Sequence, residues 1–159
     1  AWVALGFVSA VFLGLYGWLF YEPPAPTNPS PVPQLLSEIR VPFAEVEPQE
    51  YKNRTPYIWT YDNLVTSPSN QSLPEREGDE VVWRSAHDLH YDYPERVLYL
   101  WINRDRVLMF DLGLPGNPAP TPEFTDWRPP THVRADTYGD DIPGPHTARI
   151  RFRIGNPTE

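Results

Sequence analysis

The first 21 residues, Ala1 to Tyr21, carry no Asp, Glu, Lys, Arg or His. As an α-helix, a run of about 21 residues spans roughly 31 Å, close to the hydrocarbon thickness of a bilayer. Trp2 lies near one end, and Trp18, Phe20 and Tyr21 lie near the other, where aromatic rings settle at the membrane–water interface. A secretory signal peptide reads differently. It has a basic start, an apolar core of about 7–15 residues and a small-residue cleavage site. Here the start is not basic, the apolar run is longer, and Trp18-Leu-Phe-Tyr21 closes it. The expectation is a single retained transmembrane helix over residues 1–21, with a polar region behind it.

Gly6, Ala10 and Gly14 recur every fourth residue and share one face of that helix. Small side chains at this spacing let a second helix come close, so van der Waals packing holds the pair within lipid. They are the candidate helix-packing residues. The run offers no ionisable group for a proton path and no His for a haem iron. A pump, channel or haem carrier built on this helix alone is therefore not expected.

All the charges follow Tyr21. The 13 Lys and Arg against 21 Asp and Glu give a formal charge of −8, which argues against nucleic acid as a partner. There is no cysteine, hence no disulfide framework and no thiolate chemistry. The first charge after the helix is Glu22 and the first basic residue is Arg40. Positive charge near a helix end marks the cytoplasmic side, so the C-terminal region is expected on the non-cytoplasmic side. The 21 prolines far exceed the usual share of about 5% and favour extended, wrapping backbone.

Residues 22–34 form a proline-rich linker. As polyproline II it would be a semi-rigid spacer of roughly 40 Å. Residues 35–78 read as an extended, irregular segment. Within it, Leu35, Leu36, Ile39 and Phe43 fit a short helical turn stopped at Pro42, and Tyr57–Tyr61 fits a short strand. Thr66 to Gly78, punctuated by Pro68, Pro74 and Gly78, reads as an exposed loop.

Residues 79–155 are expected to be a small β-rich domain. Glu80–Arg84 is a strand, and 96–102 and 106–112 are two strands joined by a tight turn at Asn103–Asp105, an antiparallel hairpin. Apolar residues occupy both faces of the hairpin, so it should be buried on two sides, one of them by another subunit. A proline-rich arm over 113–146 carries Phe124 and Trp127. These aromatics are either anchors for a neighbour's pockets or plugs over the chain's own hairpin. From Ala148 to Ile154, apolar residues alternate with Arg149, Arg151 and Arg153, giving a half-buried strand with an arginine row on one face.

Chemistry is sparse. His87, His90 and Asp92 are weak metal candidates, without a third ligand at a diagnostic spacing. The arginine row suits an acidic partner, because guanidinium pairs with carboxylate or phosphate at two points. No phosphate loop, dinucleotide fingerprint or nucleophile elbow occurs. No enzyme activity and no cofactor is expected. The fold class expected is one N-terminal transmembrane helix followed by a small β-rich domain with long proline-rich segments. The function expected is that of an accessory, non-catalytic subunit of a multi-subunit membrane complex. The host would be energy-transducing (respiratory or photosynthetic), in a bacterial or organellar inner membrane. The partners would be lipid and other subunits. Phe124, Trp127, Arg149, Arg151 and Arg153 are the candidate contacts. The alternative is an autonomous, membrane-tethered module that binds a peptide, glycan or lipid.

Overall fold

Period-two alternation of apolar and polar side chains dominates the residues described by the computed structural model, 23–60 and 63–156. These form ten strands: β1 (Gln34–Pro42), β2 (Tyr57–Thr60), β3 (Val65–Thr66), β4 (Asn70–Gln71), β5 (Glu75–Glu77), β6 (Glu80–Asp88), β7 (Arg96–Asn103), β8 (Arg106–Asp111), β9 (His132–Arg134) and β10 (Arg149–Gly155). The helix expected over 1–21, with Gly6, Ala10 and Gly14, lies outside the described residues. Among the described residues no helix is long and apolar enough to cross a membrane.

The strands make two antiparallel sheets. Sheet 1 runs β10-β1-β6, with β4 and β5 both paired to β6, and sheet 2 runs β3-β2-β7-β8-β9. The inward side chains of both sheets form one core. Leu35, Ile39, Trp83, Ile150 and Phe152 come from sheet 1, and Ile58, Leu98, Leu100, Leu108 and Phe110 from sheet 2. Two buried polar links cross the layers. Trp83 donates its indole N–H to the Arg54 carbonyl at 3.1 Å, and His87 Nε2 lies 3.1 Å from the Pro56 carbonyl.

The hairpin expected over 96–112 is present as β7–β8, with the two-residue turn Arg104–Asp105 and a register shift between Trp101 and Asn103. The alternating strand near the C-terminus is present as β10. The helical turn expected at Leu35–Phe43 is instead the nine-residue strand β1. An i, i+4 pair such as Leu35 and Ile39 shares a face in a strand as well as in a helix, so spacing alone could not separate the two. The tie is broken by pairing, since β1 has neighbours on both sides, β6 and β10. The boundary expected at residue 79 therefore does not divide the fold. The loop expected over 66–78 contributes β4 and β5, which cover the free side of β6.

The arm runs along the edge of sheet 1. The backbone N–H groups of Thr121, Thr125 and Arg128 donate to the carbonyls of Ile154, Phe152 and Ile150. In return, the amides of Ile154 and Phe152 donate to the hydroxyls of Thr121 and Thr125, and that of Ile150 to the Arg128 carbonyl. Thr131 then donates to the Met109 carbonyl on β8. A segment with few amide protons of its own thus satisfies the open edge of β10 and spans to the other sheet. Unpaired strand edges otherwise recruit foreign strands.

The linker also lies on the domain. The Pro26 carbonyl accepts from Asp92 N–H, Asn28 N–H donates to the His90 carbonyl, and the Pro33 carbonyl accepts from Leu89 N–H. These contacts define a proximal end of the sandwich, where the chain arrives. It comprises the loops 88–95 and 112–118. The distal end carries the 3-10 turns Phe43–Glu45 and Tyr51–Asn53 and the Arg104–Asp105 turn.

Candidate interaction surfaces

The outer face of sheet 1 carries charges in register. Arg151, Glu38 and Arg84 lie opposite one another across β10, β1 and β6. Glu38 is only 6% exposed. Its carboxylate accepts from Arg40 Nε at 2.8 Å and Arg151 Nη2 at 3.0 Å, with Arg84 Nε at 3.6 Å. Burial works upward on the Glu38 pKa, but the hydrogen bonds and charges of Arg151 and Arg40 outweigh it and hold the carboxyl below its usual range. Arg149 grips Glu80 with both terminal nitrogens, at 2.9 and 3.1 Å. Arg84 and Arg40 reach Glu77 at 2.7 and 3.1 Å.

The arm lays its aromatics on this network. The guanidinium carbons of Arg151, Arg149 and Arg40 lie 4.6, 5.1 and 5.6 Å from the Trp127 ring centre. Arg151 and Arg153 lie 5.1 and 5.8 Å from that of Phe124. These are cation–π distances. Thus the five residues expected to contact a partner come together, on the chain's own sheet. Arg149 and Arg151 are sandwiched between carboxylates and rings, with Trp127 36% and Phe124 41% exposed.

The outer face of sheet 2 has a different character. Tyr57, Trp59, Tyr99 and Trp101 point outward from β2 and β7 and are half-buried. The Tyr57 and Tyr99 rings stack, 5.8 Å apart and inclined by 29°. Towards β8 the same face is closed, with Val107 and Met109 buried. The 135–141 loop comes over it there, so that Thr137 and Tyr138 share a cleft of about 280 Å³ with Trp59, Val65, Tyr99 and Met109, and Asn63 on its rim. None of these lining residues is charged. Val65 is 54% and Tyr138 80% exposed. Burial, together with the neighbouring Tyr57 and Tyr138 hydroxyls, raises the pKa of Tyr99, so the cleft stays neutral at ordinary pH. The second face of the hairpin, for which another subunit was the expected cover, is half covered by its own chain and half open.

The metal candidates separate. His87 is on the inward face of β6, fully buried, while His90 is exposed in the following loop and Asp92 lies beside Gly116. Alternation explains this, because His87 is in phase with Val81 and Trp83. Burial pushes the His87 pKa down to about 4, partly opposed by the Pro56 carbonyl and the Asp88 charge. His87 Nδ1 has no hydrogen-bond partner among the described residues. Among the described residues no three His, Cys, Asp or Glu side chains converge as a metal site would require.

Asn28 and Arg96 escaped the sequence reading. Arg96 is almost fully buried and donates to the carbonyls of Tyr91 at 2.6 Å, Pro115 at 2.8 Å, and Gly116. Burial lowers its pKa, and the Asp92 charge opposes that. Asn28 donates from Nδ2 to the carbonyls of Leu89 at 2.7 Å and Gly116 at 3.0 Å. Together they bind linker, 88–95 loop and 112–118 loop into one node. At Gly116 a Cβ would collide with the Asp92 carboxylate. The signal was available in the sequence: Arg96 is in phase with Leu98, Leu100 and Ile102, so it had to point inward.

Comparison of the chain with protein-family models, with curated proteins and with solved structures finds no match.

Proposed function

We propose that the protein is an accessory, non-catalytic subunit of a multi-subunit membrane complex, anchored by residues 1–21 and docking through the outer face of sheet 2. The observation that carries this reading is the half-open aromatic face of Tyr57, Trp59, Tyr99 and Trp101. Large aromatic side chains supply much of the energy of protein interfaces when a partner completes their burial. An autonomous domain would be expected to cover such a face with its own chain, as it does at Val107 and Met109. The host put forward is an energy-transducing complex of a bacterial or organellar inner membrane, with the sandwich on the non-cytoplasmic side.

The test is size analysis after mild-detergent extraction from the native membrane, with Trp59→Ala/Tyr99→Ala alongside. The expected result is migration with a large, defined complex that the double variant leaves. A second reading, a tethered module for a neutral peptide, glycan or lipid, is favoured by the uncharged cleft between Trp59 and Tyr138. Migration as a monomer or dimer would move the conclusion to that reading.

A further inference from the structure

The linker does not act over its full length. A free 22–34 segment would hold the domain roughly 40 Å from the bilayer as polyproline II. However, the chain is pinned to the sandwich from Pro26 onward by the Asp92–Pro26 and Asn28–His90 backbone bonds, and Asn28 is 6% exposed. Only about five residues, 22–26, then separate the apolar run from the first fixed point, a reach of about 15 Å. That fixed point is at one extreme of the sandwich. The long strands β1 and β6, each about 30 Å at nine residues, extend away from it toward the Arg104–Asp105 turn.

We infer that the Asn28–Arg96 node converts the linker into a short leash, which holds the sandwich upright at the membrane with its proximal loops toward the lipid headgroups. This rests on the anchored reading of residues 1–21. The proximal loops suit apposition without insertion. They carry Asp88, Asp92 and Glu95, with Tyr91 and Tyr93 half-buried, and the node takes Arg96 out of solvent. The open face of sheet 2 then stands side-on to the bilayer. A partner anchored in the same membrane can meet it, and one stacked above the distal end cannot.

The chain has no cysteine, so single labels are simple to place. The full chain is reconstituted in lipid nanodiscs with a donor dye at Asn117→Cys, in the proximal loops, or at Asp105→Cys, in the distal turn. Both positions are exposed. The acceptor is a headgroup-labelled lipid. Energy transfer is expected to be several-fold stronger at 117 than at 105. A Gly/Ser insertion of about ten residues between Pro24 and Ala25 lengthens the leash without touching the fold and should erase the difference. Asn28→Ala should reduce it in part. Equal transfer at the two positions in the unaltered chain, or no response to the insertion, overturns the leash. Alkaline carbonate extraction of the same samples reports on the anchor separately. Release of the protein there would overturn the anchored reading itself, and the leash with it.

Discussion

The two outer faces of the sandwich solve the same problem in opposite ways. Sheet 1 presents Arg151, Glu38 and Arg84 in one row and closes it with Trp127 from its own arm. Each of these three charges has its complement within the chain. Sheet 2 presents tyrosines and tryptophans with no charge among the lining residues of their cleft, and its own 135–141 loop covers only one side. A row of charges that is neutralised internally has little to offer a partner. An aromatic face left half dry has area still to bury. The contrast separates the residues that hold the fold from those available for recognition, and each can be tested by breaking one without the other.

The largest effect is expected at Glu38. Replacing it by Leu leaves the Arg40, Arg84 and Arg151 guanidiniums around a site without their shared carboxylate. Solvent screening of the partly exposed arginines, and the Glu77 carboxylate that Arg40 and Arg84 keep, hold the cost to about 3 kcal/mol, the low end for a broken buried pair, read as a lowered urea midpoint. Interface variants should show nothing comparable in stability.

Acid should act at His87, between the two sheets. Its folded pKa, about 4, is below the ordinary 6.5, so the unfolded chain binds the proton more readily. The stability it contributes is complete above pH 6.5 and falls as pH drops toward 4, by about 3 kcal/mol at the low end. The His87→Phe variant should lose most of this slope in a pH series of unfolding curves. An unchanged slope would assign the acid sensitivity to the carboxylates of sheet 1.

Trp59→Ala and Tyr99→Ala should each weaken association by about 2 kcal/mol, roughly 30-fold, as truncation of central aromatic anchors does. The readout is retention of the complex at increasing dilution. A large fall in unfolding midpoint with retention unchanged would show that these rings serve the fold instead. The smallest effect is expected at Trp127→Ala. It should cost about 1 kcal/mol of stability through the lost ring–guanidinium contacts and leave complex retention intact. Loss of the complex without loss of stability would return Trp127 to the role of a partner anchor and erase the distinction between the faces.

The local elements were legible in the sequence where periodicity and turn chemistry agree. The β7–β8 hairpin, with its tight polar turn, and β10, with Arg149, Arg151 and Arg153 alternating against Ile150, Phe152 and Ile154, follow from pattern alone. β1 did not, because Leu35 and Ile39 satisfy two periods at once and Glu38 reads as a surface charge until Arg151, 113 residues away, is in place. The arm was legible as extended but not as an edge cover, since its bonds depend on the spacing of Thr121, Thr125 and Arg128 against a strand not yet positioned. The interior Arg96 could have been found by phase. Its partners, three backbone carbonyls of two separate loops, leave no trace in residue identity.

The placement of β1 also bears on the order of events during synthesis. β1 is the first made of the described strands, yet it lies between β6 and β10, and its pairing with β10 awaits residues more than a hundred positions later. Long-range pairing of this kind is slow to form and leaves strand edges exposed meanwhile. Sheet 1 can pair β1 with β6 early, but it cannot be completed while the ribosome is still at work on the arm. The Glu38 carboxylate and one edge of β1 would wait in solvent until β10 arrives to cover them.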